Sequence, residues 1–279
     1  MNIIDAIYHL VNHPVIELTR YSRGNNRINS MGDALEEYVK DLFADSFHLN
    51  GSERINQLSH VFSYLGNSHN PPDMMLCGGD AIEVKKLENP NAAIALNSSY
   101  PKHTLSSNNL MLSSACRLAE PWTCKDMVYI TGVVNSRTNQ LNHLAMVYGL
   151  DYCASETCYA RIKSTIKTGV EAIPGVEFTE TKELGHINGV DPLGITYMRV
   201  RGVWGIDNPW NVFDYVYQRD PRKSFNFMCI INDAKWDTFD NTTLLTDMRK
   251  DGFKIEHVRI KNPDNPAKLV AARLITFCV

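Results

Sequence analysis

The sequence predicts an α/β fold in which helices flank a mixed central β-sheet, with accessory strands in the C-terminal half. Near the N-terminus, apolar residues recur at helical spacing in residues 3–11 and 31–47. Two apolar runs rich in β-branched residues, 126–135 and 144–152, lack alternation, which is typical of sheet strands covered on both faces. Because no Pro/Gly/Ser-rich linker or block of charge divides the chain, we expect one domain over residues 1–279.

The composition is that of a folded protein. It is 44% hydrophobic and 21% charged, which is ordinary for a globular chain. The net charge of -3 and the pI of about 6.3 argue against a protein that coats any nucleic acid through excess positive charge. They leave room for a local basic cleft.

The sequence predicts neither a targeting segment nor a membrane-spanning segment. Residues 1–5 lack a basic region, and no apolar run approaches the roughly 18 residues that a membrane helix needs. Seven cysteines, an odd number without a secretory signal, are predicted to be reduced thiols. We therefore expect a cytoplasmic protein with no membrane partner.

Two helices open the chain, and a polar loop separates them. The first helix ends before Pro14, and the loop at 21–30 contains Arg23 and Arg27, which either contact phosphate or are simply solvated. In the second helix, at roughly 100° per residue, Glu36 flanks the apolar stripe while Glu37 lies opposite it.

A β-hairpin over residues 72–85 carries most of the functional information. Apolar residues lie on both sides of a glycine pair, which favours a three-residue loop at 77–79. Such a loop needs a residue at positive φ near its end, and we expect Gly79 to provide it. Leu76 then pairs with Asp80.

The same register brings three charged side chains together. It places Asp73 opposite Glu83, and because side chains alternate along a strand, Glu83 and Lys85 share a face that Asp73 joins from across the ladder. A two-residue loop would instead set Asp73 opposite Val84 and separate the cluster. Magnesium prefers oxygen ligands and is commonly held by one or two carboxylates, so the cluster predicts a metal site. A neighbouring lysine can orient a nucleophile and offset negative charge on a phosphate.

These residues resemble a known nuclease motif. Pro72 and Asp73, a nine-residue gap, and then Glu83, Val84 and Lys85 resemble the PD-(D/E)xK motif. The wider chain, including the segment Asn97, Ser98, Ser99, Tyr100, Pro101 and Lys102 (the 97–102 segment), is similar to the NgoPII-like type II restriction endonucleases.

The resemblance implies a restriction-endonuclease-like core fold and a role in restriction–modification. The expected activity is Mg²⁺-dependent hydrolysis of double-stranded DNA at the palindrome GGCC, leaving 5′-phosphates, by a homodimer. It implies that Asp73, Glu83 and the main-chain carbonyl of Val84 bind the metal, while Lys85 positions or activates the attacking water. Related nucleases often add a helix-borne glutamate, which Glu36 matches; a solvated carboxylate is the alternative.

Several residues are predicted to contact DNA. By resemblance, the 97–102 segment lies at the DNA through Asn97, Ser98, Ser99 and Lys102, although its composition is that of an ordinary loop. Three arginines in the C-terminal half can each present a bidentate fork to guanine: Arg199 and Arg201 on a strand at 195–203, and Arg222 in a basic turn at 219–223. For Arg199 and Arg201, a surface or salt-bridged position without a DNA contact is an equally good interpretation.

The remaining elements complete the predicted fold. Strands are expected at 61–66, 92–96, 225–231, 254–260 and 269–277, helices at 155–172, 208–217 and 242–251, and a loop at 185–194. His186 in that loop has no second histidine at metal-binding spacing. Two other functions stay open: a repair nuclease or junction resolvase with the same motif, and a non-catalytic DNA-binding protein whose hairpin is only structural.

Overall fold

The computed structural model describes residues 1–19, 31–67, 70–182 and 184–279. Arg23 and Arg27 lie outside these residues. Within them the helices are α1 (Ile3–Asn12), α2 (Met31–Ala44), α3 (Gly51–Val61), α4 (Ser114–Leu118), α5 (Gly149–Tyr152), α6 (Glu156–Glu171), α7 (Pro209–Val212), α8 (Asp233–Trp236) and α9 (Thr243–Thr246). The strands are β1 (Phe62–Asn67), β2 (Asn70–Leu76), β3 (Ala81–Leu87), β4 (Ile94–Asn97), β5 (Thr104–Ser106), β6 (Cys124–Val134), β7 (Leu141–Tyr148), β8 (Glu177–Glu180), β9 (Gly185–Asn188), β10 (Met198–Val200), β11 (Trp204–Ile206), β12 (Asn226–Asn232), β13 (Phe253–Asn262) and β14 (Asn265–Cys278).

A large mixed sheet forms the centre of the fold. Its strand order is β1-β2-β3-β6-β7-β12-β14-β13, with β5 paired to β6. The β3–β6 and β7–β12 pairs are parallel, and the other pairs are antiparallel. The predicted mixed α/β fold is thereby confirmed. The organisation as a single domain stays a prediction.

Apolar side chains cover both faces of the central strands. Along β6, Val128 and Ile130 pack toward α1 and α2, whereas Met127 and Tyr129 pack toward the opposite side, where Leu96 and Trp210 lie. All of β12 is buried. This double covering explains why the sequence of these strands shows apolar runs without alternation.

The N-terminal helices fold largely as predicted, with one helix missed. Asn2 caps α1 by accepting from the Ile4 N–H at 2.8 Å, and the Asp5 carboxylate accepts from the Asn2 N–H at 2.8 Å. Helix α3 was not predicted, because only Leu58 and Val61 of it are buried and its apolar stripe is too short to recognise.

The C-terminal half departs further from the predictions. Only residues 198–200 of the expected strand at 195–203 form a strand, β10, and it belongs to a separate three-stranded sheet with β8 and β9. Strand β9 also occupies part of the expected loop at 185–194. The predicted helices at 208–217 and 242–251 are reduced to the single turns α7 and α9.

The other expectations for the second half are met, except at the end of one strand. Strand β7 ends at Tyr148, so the expected strand to residue 152 is wrong over its last four residues, which form α5. The closing hairpin β13–β14 is confirmed and longer than predicted. All seven cysteines are free thiols, and no described helix is long and apolar enough to cross a membrane.

Candidate active site

The hairpin β2–β3 has the register that the sequence predicts. Met74 pairs with Ile82 and Met75 with Ala81, and the Leu76 N–H donates to the Asp80 carbonyl at 3.0 Å. The loop therefore contains three residues. One detail of the prediction is wrong: Gly78 has the positive φ, 63°, and Gly79 does not.

Charged side chains hold the turn of this hairpin in place. Lys125 Nζ donates to the carbonyls of Gly79 at 2.6 Å and Leu76 at 3.2 Å, and Glu120 accepts from the Gly78 N–H at 2.9 Å. Lys125 also pairs with Glu120 at 2.5 Å. These contacts fix the end of the hairpin to the start of β6.

Asp80, directly after the turn, is held from a second direction. Its carboxylate accepts from the Tyr148 hydroxyl at 2.6 Å and from Lys235 Nζ at 2.9 Å, and Lys235 also pairs with Asp126 at 2.7 Å. A buried carboxylate with two such donors is electrostatically satisfied. The hairpin is thus tied to β7 and α8 as well as to β6.

Asp73, Glu83 and Lys85 form a half-buried cluster, as the register requires. Lys85 Nζ lies 2.6 Å from Glu83 Oε1 and 4.0 Å from Asp73 Oδ2. The Val84 N–H donates to Asp73 Oδ2 at 2.6 Å. The Asp73 side chain therefore connects the two strands beyond the last main-chain pair.

Burial and the charges of neighbouring groups shift the pKa values of this cluster. The pKa of Asp73 is raised, first by burial and then by repulsion from Glu83, against the attraction of Lys85 and the hydrogen bond from Val84. Burial lowers the pKa of Lys85, but the nearby Glu83 and Asp73 carboxylates outweigh it, and the net pKa is raised. Lys85 is consequently a firmly protonated ammonium.

One oxygen of the cluster has no partner. Glu83 Oε2 is buried and accepts no hydrogen bond from any part of the chain that the structure describes. An orphaned carboxylate oxygen beside a second, repelled carboxylate fits a divalent cation. Among the described residues, no three His, Cys, Asp or Glu side chains are grouped to hold a metal by themselves. A cation here would thus depend on two carboxylates, with other oxygen atoms completing its shell.

Helix α2 brings Glu36 close to the cluster, whereas Glu37 contacts α3. The charge of Glu36 contributes to the raised pKa of both Asp73 and Lys85, so Glu36 lies near them. Glu36 pairs with Lys40 at 3.0 Å. Glu37 pairs with Lys40 at 2.7 Å and, on the other side, with an arginine of α3 at 2.8 Å. Glu37 was expected on the face opposite the apolar stripe, but it is packed against α3 and is less exposed than Glu36.

The 97–102 segment passes close to the cluster. Tyr129 lies opposite Glu83 in the β3–β6 register, and its hydroxyl accepts from the main-chain N–H of Lys102 at 2.6 Å. Lys102 is only 3% exposed; its Nζ donates to Ser99 Oγ at 2.6 Å and lies 4.3 Å from the Tyr100 ring centroid. Burial lowers the pKa of Lys102 to about 8, and Glu83 opposes this effect. Lys102 therefore lies beneath the segment rather than on its surface.

The remaining predicted DNA contacts lie on three different parts of the chain. Asn97 is exposed at the end of β4, while Ser98 and Ser99 are half-buried. Arg199 on β10 and Arg201 just after it are exposed. Arg222 is also exposed, and its guanidinium forms two hydrogen bonds with Asp220, at 2.9 and 2.8 Å. The structure does not bring these arginines onto the hairpin.

Sequence reasoning missed several residues at the site. Thr131 lies opposite Lys85 in the β3–β6 register, and its buried hydroxyl has no partner among the described residues. Lys125 and Lys235, which fix the hairpin, were not singled out either. Nothing in the local sequence marks them, because their partners are distant along the chain.

Comparison with known proteins gives a consistent result. The family model described as NgoPII restriction endonuclease matches residues 1–261. The chain is 58% identical over 277 residues to the type II restriction enzyme NgoPII of Neisseria gonorrhoeae, and the match covers 99% of each chain. No solved structure matches the chain. The resemblance is confirmed, and the chain belongs to the NgoPII restriction endonuclease family.

Proposed function

We propose that the chain is a type II restriction endonuclease of the PD-(D/E)xK superfamily that cleaves double-stranded DNA with Mg²⁺. The observation that carries the proposal is the half-buried cluster of Asp73, Glu83 and Lys85, in which one carboxylate oxygen is orphaned. The relationship to a type II restriction enzyme supports DNA as the substrate.

The proposed metal ligands are Asp73, Glu83 and the main-chain carbonyl of Val84, with Glu36 contributing from α2. A divalent cation would neutralise two carboxylates that otherwise repel each other, and would satisfy Glu83 Oε2. When bound, Mg²⁺ supplies Lewis-acid polarisation of the scissile phosphate and acidifies a nearby water.

Lys85 has the role of positioning the attacking water. Because its raised pKa keeps it protonated, it donates hydrogen bonds and offsets negative charge that develops on the phosphate. The water oxygen bonds to phosphorus as the bond to the 3′ oxygen breaks. The departing 3′ oxygen takes up a proton from solvent, so the products carry a 5′-phosphate and a 3′-hydroxyl. The attacking water gives up its protons to solvent as its oxygen becomes part of the 5′-phosphate.

The DNA contacts of the proposal are divided between backbone and bases. Asn97, Ser98 and Ser99 present amide and hydroxyl groups to the phosphate backbone or to base edges, and Lys102 supports them from below through Ser99. Arginines of the C-terminal half read guanines through the major groove. They are Arg199, Arg201 and Arg222, the last of which would exchange its bonds with Asp220 for bonds to DNA.

The proposed recognition sequence is the palindrome GGCC, read by a homodimer. A palindrome is most simply read by a two-fold symmetric protein, because each subunit then meets an identical half-site and cuts one strand. A cytoplasmic location is part of the proposal and is inferred from the sequence.

The test is digestion of a plasmid of known sequence with and without Mg²⁺. Discrete fragments ending within GGCC, formed only with the metal, support the proposal, and end labelling identifies the 5′-phosphate. Non-specific degradation would favour a repair nuclease. Binding without cleavage under any divalent cation would favour a structural role for the hairpin. Sedimentation of the protein with and without duplex decides whether it acts as a dimer.

A further inference from the structure

A cavity of about 230 Å³ lies beside the proposed active site, and the functions described above do not use it as a binding pocket. Ser99 and Tyr100 line it from the 97–102 segment, Tyr159 from α6, and Trp204 from β11. The cavity thus adjoins the segment that is proposed to contact DNA.

Three aromatic rings form the wall of the cavity. Tyr100 and Tyr159 are stacked, with ring centroids 5.4 Å apart and planes inclined by 22°. Trp204 meets both rings edge-on, 5.7 Å from Tyr159 and 6.3 Å from Tyr100. Aromatic walls of this kind bind a flat conjugated ring by stacking, independently of its identity.

Polar groups at the cavity include both donors and acceptors. Glu156 accepts from the Tyr100 hydroxyl at 2.6 Å, which holds its carboxylate at the wall. Ser99 Oγ accepts from Lys102 Nζ at 2.6 Å, so its own proton can donate into the cavity. Asn108 and Asn109 also line it. Such a set matches the mixed donors and acceptors on the edge of a nucleobase.

The charges around the cavity favour a base inside it and a phosphate outside it. Lys163 and Lys182 are among its lining residues, and Lys163 lies 3.5 Å from a glutamate of β8. The Glu156 carboxylate repels a phosphate from the interior, whereas the two ammonium groups can attract the phosphate of a nucleotide whose base enters.

Two residues, Lys102 and Tyr129, connect the cavity to the proposed active site. Lys102 donates to Ser99 through Nζ, and its main-chain N–H donates to the hydroxyl of Tyr129, which lies opposite Glu83. The cavity is therefore close to the place where DNA is proposed to bind. A stacked duplex presents only a convex surface of phosphates, sugars and groove edges, and an extruded base is the planar group that can fill an aromatic concavity.

We propose that this cavity receives a single nucleobase rotated out of the duplex within or next to the recognition site. The inference rests on the proposed DNA cleavage. It assigns Tyr159 and Trp204 as stacking residues and the 97–102 segment as the rim over which the nucleotide passes.

The test uses duplexes in which the unpairing cost has already been removed at one position. Each duplex contains the site mapped by digestion, and one nucleotide, within the site or flanking it, faces an abasic residue in the opposite strand. Binding is measured in EDTA by fluorescence anisotropy for the wild type, Tyr159→Leu and Tyr159→Phe, with Lys167→Ala as a control on the same helix. Helix α6 has no buried residues, so these changes leave the core intact.

We expect the wild type to bind about tenfold more tightly at one position in each half-site, because the enzyme no longer breaks a base pair there. Tyr159→Phe and Lys167→Ala should keep this gain, and Tyr159→Leu should lose most of it. The inference is overturned if no position binds more tightly, or if Tyr159→Leu keeps the full gain. Digestion with the same preparations distinguishes the proposed function from the role of the cavity. Discrete cleavage, without any nucleotide position at which the abasic partner tightens binding, leaves the proposed function standing and removes the cavity's role. Absence of site-specific cleavage removes both.

Discussion

Replacing Asp73 with asparagine should stabilise the metal-free protein while it removes cleavage. The Asp73 side chain is 19% exposed, and burial together with repulsion from Glu83 raises its pKa. An amide avoids the cost of ionisation in this setting and keeps an oxygen that can accept from the Val84 N–H.

The size of the effect follows from the pKa of Asp73, which is raised from 3.8 to about 7. One pKa unit corresponds to about 1.4 kcal/mol, so the ionised carboxylate disfavours the folded state by at most about 4 kcal/mol. This value already includes the attraction of Lys85 and the hydrogen bond from Val84, both of which lower the pKa of Asp73. Because the side chain is partly exposed and solvent screens part of the effect, we expect a gain of about 1–3 kcal/mol in the free energy of unfolding at pH 8.

The stability gain from Asp73→Asn should change with pH in a definite direction. Between 3.8 and about 7 the folded wild type binds more protons at Asp73 than the unfolded chain does, so its stability falls as the pH rises through this window. The variant has no group to titrate there. The gain from Asp73→Asn should thus be small near pH 4, grow through the window and level off above it.

Urea unfolding in EDTA at several pH values measures this gain. Glu37→Gln is the matched control, because Lys40 and Arg54 lower the pKa of Glu37 although burial opposes them. That change should destabilise the protein at pH 8. An Asp73→Asn variant that is no more stable than the wild type at pH 8, or whose gain does not change with pH, would refute the reasoning.

Three further predictions concern the proposed reaction. Lys85→Ala should abolish cleavage and leave the protein folded, as circular dichroism and digestion can show; retained cutting would remove Lys85 from the mechanism. Glu36→Gln should slow cleavage and raise the Mg²⁺ requirement in a titration, whereas Glu37→Gln should do neither, and equal effects would contradict the assigned helix orientation. Arg199→Ala should cost roughly 1–3 kcal/mol of binding and relax discrimination at one base pair if it reads guanine; uniform weakening on all single-base variants would show a phosphate contact instead.

The register of the central hairpin was predictable because it depends on local chemistry. The alternation of apolar residues and the length of the turn decide which residues face each other, and both can be read within residues 72–85. These features did not decide which of Gly78 and Gly79 has the positive φ, because either glycine can adopt it without a steric penalty. The pairing of Asp73 with Glu83 is unaffected by that choice.

The position of Lys102 could not be predicted from its neighbours in sequence. A lysine in a polar loop is ordinarily exposed, but contacts with Ser99, Tyr100 and Tyr129 bury this one beneath the segment. The strand expected at 195–203 failed for a related reason. Its alternation is clear in the sequence, but only three residues find a partner strand, and pairing rather than pattern decides the length of a strand.

The hydrogen bond between the Val84 N–H and Asp73 Oδ2 makes one backbone amide an internal reporter of the cluster. The proton resonance of that amide should move when Asp73 loses or gains its proton, and again when a cation takes up the carboxylate, because both events change the acceptor's charge. In spectra of the ¹⁵N-labelled protein, this single signal would follow ionisation and metal uptake without any DNA present. The occupancy of the site could then be observed separately from the cutting that it is proposed to support.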